Sequence, residues 1–381
     1  MASEVVCAHS GRTDTAEALA ELREQLSSID PVVVLFFCSH NHDGVVLQTS
    51  LKSDFPAAEV VGCTTGGEFT NTAYTAGGVV AVALSSAKVH RAAAALAQFD
   101  QGESVEQSVR NATTLVARKL QVDLRELPPE HWVGIILNEG LKGNEEEVNA
   151  VLGLVAPFLL FCGGSAGDNF IIKETAVFYD GIRSTNGSVF LLMNLAVPYA
   201  ILKTCSFEPT STQMRIDRVQ GRVVYEIDGK PALEAYAAKV GVKPEALLQT
   251  EVQTQMIFTA NPIGVVIDGE PWVRSPIALT PDGGIVFGCR ILEGSQLNLL
   301  RSTGLVPDTK SALERGREQL GAQPSVGLLF NCAHRCMEIK VRHLEEEFCE
   351  AISHFPVAGF HSYGESYLAH MNQTLIALLL K

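Results

Sequence analysis

Apolar residues recur along the chain with two distinct periods. Between residues 15 and 26, Ala18, Leu19, Leu22 and Leu26 return at helical spacing with charges between them, which predicts an amphipathic helix. Asp30-Pro31 breaks that pattern. Residues 32–37 (VVVLFF) are uninterruptedly apolar, as in a strand buried on both faces. A weaker helix over 45–51 and a strand over 57–63 follow, and residues 78–84 and 89–96 are expected to pair as strands. Helical periodicity returns over 101–119, with Val105, Val109, Thr113 and Val116 on one face, until Pro128-Pro129. A strand over 132–137 precedes a helix over 144–152, whose first turn carries Glu145, Glu146 and Glu147. Acids there complement the helix dipole, and they are read as a solvated cap. Strands over 158–162, 176–179, 188–197 and 199–207 complete this half.

The polar stretch 208–217, with Pro209, marks the expected boundary between a domain of residues 1–212 and one of 213–381. Beyond it, residues 223–227 enter a hairpin at Asp228-Gly229. A helix then runs through Tyr236 and Val240. Short strands over 263–267, 272–277 and 285–287, a helix over 309–320 and an apolar strand over 374–380 finish the chain. The expected class is mixed α/β (α+β): two related sheet-plus-helix domains with internal repeats ending in glycine-rich acidic turns.

The repeats are visible as near-copies. VVVLFFCSH (32–40) matches VGLLFNCAH (326–334), and VGCTTGGEF (61–69) matches AGFHSYGES (358–366), placing Glu68 opposite Glu365. A weaker copy runs from residue 133 to GGSAGD (163–168), ending on Asp168. Glycines let a backbone approach another group closely, small Ser and Thr residues leave space, and a terminal acid can grip a ligand or the turn's own amides. Both readings of the acid stay open.

Composition narrows the classes. The chain has 381 residues, 46% hydrophobic, enough for two packed domains. No window approaches the ~18 apolar residues of a membrane span, and the first residues carry no secretory pattern, so a soluble cytoplasmic protein is expected. Nine cysteines, several within apolar runs (Cys38, Cys63, Cys162, Cys289), fit reduced buried thiols better than disulfides. A net charge of −14 without a basic cluster argues against nucleic acid as partner.

Several constellations carry chemistry. Cys63, Thr64, Glu68, Asp168, Cys332, Arg335, Tyr363, Glu365 and Asn372 sit at strand ends or in the turns and are the candidate ligand-binding residues. Arg335 could clasp a carboxylate bidentately, or pair with Glu365 as a structural ion pair. Cys332, His334 and Cys336 lack the paired short spacings of structural zinc, and no metal site is expected. Cys63 or Cys332 near a histidine is the enzyme alternative, a cysteine-dependent hydrolase or transferase. No Cys-x-x-Cys-His occurs, so a haem would be held non-covalently, with His40, His42, His334 and His361 as candidate ligands.

The turn VGCTTGGEF resembles the N-terminal FIST sensory domain, and DGKPALEAY (228–236), FNCAHR (330–335), AGFHSYGES and MNQTLIAL (371–378) resemble the C-terminal FIST domain. That resemblance implies a non-enzymatic, small-ligand-binding sensor of signal transduction. It is similar in layout to the stand-alone NosP-type subset, which implies haem, nitric oxide as signal, and a histidine kinase or cyclic-di-GMP enzyme as partner. An amino acid sensed without haem is the alternative. His334 and His361 stand where the family commonly has a glycine and an aromatic, adding imidazoles beside the turns.

Overall fold

The computed structural model describes residues 3–381. Its class is mixed α+β, built from several mixed sheets. Strand Pro31–Cys38 runs parallel to strand Glu59–Thr64 across helix Gly44–Asp54, and antiparallel to strand Val79–Ser85. Strand Val5–Ser10 covers the other edge of Val79–Ser85. The same unit is built twice more. Trp132–Asn138, Leu160–Ser165, Gly187–Leu195 and Val89–Gln98 form the second copy. Val326–Cys332, Val357–Ser362, Thr374–Leu380 and Tyr199–Cys205 form the third. The middle repeat, faint in sequence, is as complete as the outer two.

One expectation is corrected here. Strands Val79–Ser85 and Val89–Gln98 do not pair. The first already has a strand on each edge, so it has no free hydrogen-bonding groups to offer. The chain instead passes at Ser85–Val89 into the next sheet.

The apolar runs are explained by a three-sided core. Val33, Leu35 and Phe37 face a common interior with Ile135, Leu137, Leu191, Leu328, Phe330 and Leu378, drawn from all three sheets. Alternate residues Val34, Phe36 and Cys38 face outward under helices Thr15–Leu26 and Gly44–Asp54. The second and third sheets are covered in the same way by their own helices. Both faces of the central strands are therefore dry, and there a period of two is invisible in the sequence. Phe37, Phe330 and Phe360 meet at ring-centroid distances of 4.7, 5.7 and 6.3 Å across the first and third units. Each such pair adds about 0.5–1.5 kcal/mol beyond area burial.

The units exchange hairpins in a ring. Each glycine-rich turn leads into a short hairpin that joins another unit's sheet. The hairpin starting at Glu68 pairs with Val357–Ser362 of the third unit. That starting at Glu365 pairs with Leu160–Ser165 of the second, and that starting at Val177 with Glu59–Thr64 of the first. This draws all three turns to one junction at the carboxyl ends of the parallel strands.

Strand Phe207–Gln220 opens an insertion in the third unit, closed by strand Gln296–Ser302. It has its own core around Ile216, Tyr236, Phe258 and Phe287. The cut expected between residues 212 and 213 falls inside Phe207–Gln220, whose polar character reflects its largely solvent-facing side. Among the described residues, no helix is long and apolar enough to cross a membrane.

Candidate functional site

The three turns touch through their backbones. Gly66 N donates to His361 O at 2.8 Å, His361 N to Gly67 O at 2.8 Å, Gly167 N to Thr64 O at 3.0 Å and Tyr363 N to Ser165 O at 3.0 Å. A Cβ on Gly167 would stand 2.5 Å from Gly66 N, so that contact requires glycine.

Glu68 and Glu365 are equivalents, as the repeat predicts. Each is fully buried and opens a short strand, Glu68 four residues and Glu365 three residues beyond the end of the preceding one. Glu68 accepts from the Thr65 hydroxyl and from Gly78 N at 3.2 Å. Glu365 accepts from the Ser362 hydroxyl at 2.7 Å and the Thr374 hydroxyl at 2.8 Å. Burial lifts both carboxyls to about 7, against the opposing pull of those hydrogen bonds. Both acids thus hold the turns' own groups, the structural alternative.

Asp168 is not their counterpart. Glu68 pairs with Phe360, which lies five residues before Glu365, and Val177 pairs with Cys63, five before Glu68. Val177 therefore occupies the acid's place in the second repeat, and residues 169–176 are an added loop. Asp168 accepts from Ile172, Lys173 and Glu174 amides at 2.7–3.0 Å and from the Tyr363 hydroxyl at 2.5 Å. Burial opposes its charge, but the Tyr363 hydroxyl and these amides outweigh it and hold the carboxyl below its ordinary range. Tyr363 also accepts from Phe170 N at 2.7 Å. The loop they brace is strained: Asn169, Phe170 and Ile172 have φ of 55°, 66° and 56°. A β-branched residue at positive φ is an outlier, and such strain persists where surrounding bonds enforce it.

The remaining candidates divide. Cys63 and Cys332 are buried at the carboxyl ends of their strands, and burial pushes both thiols well above the usual range, the opposite of an activated nucleophile. Thr64 Oγ1 accepts from Ala176 N at 3.0 Å, pinning the exchanged hairpin. Arg335 is 1% exposed, and Glu365 is held by Ser362 and Thr374 and not by it. Arg335 donates instead to Asn331 Oδ1 at 2.8 Å, the Ser206 hydroxyl at 2.7 Å and the Thr309 hydroxyl at 2.7 Å. Asn372 lies apart from the junction and accepts from the Cys289 thiol at 2.8 Å. Arg222, Glu145, Glu146, Cys289 and His370 gather near it from four separate segments; Glu145 and Glu146, expected as a solvated cap, are instead buried and partly buried against Arg222.

The four candidate haem-ligand histidines differ in their hydrogen bonds. His42 is engaged at both nitrogens, by Thr15 at 3.3 Å and Gly77 O at 3.2 Å. His334 is half-buried with Nδ1 toward the Cys332 sulfur, and burial lowers it to about 4. His40 Nδ1 is buried without a partner. His361 is buried and neutral, lowered to about 3 first by burial and then by nearby Lys340. Because Arg335 engages Asn331 Oδ1, Asn331 turns its Nδ2 to His361 Nδ1 at 3.0 Å. His361 Nδ1 must then accept, and the proton sits on Nε2, which has no partner. An iron ligand needs its lone pair at Nε2. The ring also packs against Phe69 and Tyr74 at 5.1 and 5.2 Å. As arranged, His42 and His361 offer no free ring lone pair to an iron. What the junction presents is an unused N–H donor at His361 and, across the same turn, an unpartnered acceptor, Asn169 Oδ1. Asn169 N donates to Thr65 O, beside the Gly66 amide that holds His361 O.

Comparison with known proteins agrees with this architecture. The FIST N domain matches residues 32–230 and the FIST C domain residues 232–367. An uncharacterized protein, MJ1623, of Methanocaldococcus jannaschii is 22% identical over 326 residues, 81% of this chain. The chain spans 61% of that relative's length. The first match runs from residue 32 through the second repeat and into the start of the insertion, and the second covers the rest of the insertion and the third repeat as far as residue 367. The chain belongs to the FIST family, whose domains are sensory, small-ligand-binding modules of signal transduction.

Proposed function

We propose that this protein is a non-enzymatic sensor of a small amino-acid-like ligand taken at the turn junction. One observation carries the reading: the Arg335–Asn331–His361 relay aims a buried Nε2–H at no acceptor, while Asn169 Oδ1 lacks a donor beside the same turn. A carboxylate oxygen would satisfy the first and an ammonium group the second. Leaving either atom unpaired costs about 1–3 kcal/mol, so a ligand that fills both is favoured over water that fills one. Binding at Asn169 would pull on the strained loop through residue 172 and change the surface it displays. A separate histidine kinase or cyclic-di-GMP enzyme is the proposed reader, met through the acidic surface of a chain of net charge −14.

The test is thermal unfolding of the full chain with each common amino acid, its amide and its decarboxylated amine. An amino acid that raises Tm, while its amide and amine do so less, supports the reading. That rise should disappear in Asn169→Ala. No shift with any member of the panel overturns it. A Soret band on haem addition, lost in His361→Ala, would instead return the reading to haem and nitric oxide.

A further inference from the structure

We propose that Glu146, Cys289 and His370 form a binding site for a divalent metal of the zinc class, separate from the turn junction. Glu146 stands in the first turn of helix Glu145–Val155, Cys289 follows strand Ile285–Phe287 of the insertion, and His370 lies on strand Ala369–Met371. A carboxylate oxygen, the sulfur and a ring nitrogen of these residues lie within 4.8 Å of one another. Carboxylate, thiolate and imidazole are zinc's three protein ligand types, and three of them leave a fourth position open.

The surroundings are those of a ligand set. His370 is 2% exposed; its Nε2 lies 3.2 Å from the Gly288 carbonyl, and its Nδ1 has no partner. A proton on Nε2, donated to that carbonyl, leaves the Nδ1 lone pair free, as a backbone carbonyl does behind a metal-bound imidazole. Gly364 makes room for the ring, since a Cβ there would stand 2.1 Å from its Cε1. Glu146 is held by Arg290 N at 2.6 Å and by Arg222 at 2.5 Å. Arg222 also bonds Glu145 at 2.7 Å. With Cys289 as thiolate and His370 as the neutral imidazole a metal requires, Glu145, Glu146 and Cys289 outweigh Arg222 by two negative charges, which a divalent cation neutralises. On binding, the metal replaces the thiol proton now donated to Asn372, and that proton passes to water.

Access separates a metal from a substrate. Cys289 is 1% exposed and offers no face to a bulky electrophile, whereas the Arg222 and Glu146 side chains keep 22 and 20% exposure at the rim. The ligands come from the second repeat, the insertion and the third repeat's hairpin, so the ion would fasten the insertion to the core.

The probe is Co²⁺ titrated into the reduced full chain, followed by displacement with Zn²⁺. A thiolate-to-cobalt absorption band that saturates at one equivalent is expected, absent in Cys289→Ser. Glu146→Gln, on the partly exposed ligand, should keep the band but weaken binding by more than the roughly 10–100-fold of an outer partner. Zn²⁺ alone should raise Tm in wild type and not in Cys289→Ser. No saturable band in wild type, or an equal band in Cys289→Ser, overturns the proposal and leaves the amino-acid reading at His361 untouched.

Discussion

Glu68→Gln isolates the cost of a buried carboxylate. Among the described residues Glu68 has no cation beside it: its partners are the Thr65 hydroxyl, Gly78 N at 3.2 Å and the Thr75 hydroxyl at 3.5 Å. The unfolded chain holds the carboxyl at its ordinary 4.5 and the folded chain at about 7. At roughly 1.4 kcal/mol per pH unit, that gap is worth about 3 kcal/mol. Between the two values the folded protein keeps a proton that the unfolded chain has released. Stability from this group is therefore full below about 4.5 and is lost as pH rises to about 7. Glutamine has the same shape and no charge, so its stability lacks this slope. Urea unfolding of both proteins at about pH 5 and about pH 8 measures it. Relative to wild type, Glu68→Gln should gain about 2.5 kcal/mol on going from the lower to the higher pH, the rest of the gap having been lost already between 4.5 and pH 5. Its offset at the lower pH reflects only the Gly78 and Thr75 bonds. A wild-type-to-mutant difference that is equal at both pH values would refute the reasoning.

Three further outcomes are expected. Arg335→Met should lower stability by several kcal/mol, because Asn331, Ser206 and Thr309 each lose a buried partner at about 1–3 kcal/mol; a loss under about 1 kcal/mol in thermal unfolding would contradict the hydrogen bonding described. Iodoacetamide on the native protein should label the half-buried Cys7, Cys205 and Cys349 and leave Cys63 and Cys332 unmodified until unfolding, by peptide mass spectrometry. A fast-reacting Cys63 or Cys332 would revive the cysteine-enzyme reading. Gly167→Ala should destabilise by about 1–3 kcal/mol by overpacking against Gly66 N, 2.5 Å away; a neutral substitution in urea would mean the turns are looser than they stand here.

The chain's repeated strings carried much of the architecture. Apolar runs such as VVVLFF named the central strands, and the Gly-x-x-x-x-Gly-Glu turns correctly paired Glu68 with Glu365. Both signals are local: a strand dry on both faces must be apolar at every position, and a turn that packs against backbone must be glycine. What the sequence could not supply was partnership. Nothing in residues 79–98 states that Val79–Ser85 already has neighbours on both edges. Nor does GGSAGD reveal that a loop of residues 169–176 moves the acid's place to Val177. The polarity of residues 208–217 marked a linker in sequence and, in space, the solvent-facing side of a strand paired on both sides. The candidate chemistry was the least legible. Arg335 looked made for a carboxylate, yet its three neutral partners come from positions 206, 309 and 331. Through Asn331 it sets the proton on His361, a consequence of hydrogen-bond direction that no residue spacing encodes. Glu146, Cys289 and His370 are likewise remote in sequence and are brought together only because hairpins cross between sheets and the insertion folds back on the second repeat. Local chemistry fixed the elements; the closing of three sheets around one core decided which side chains meet.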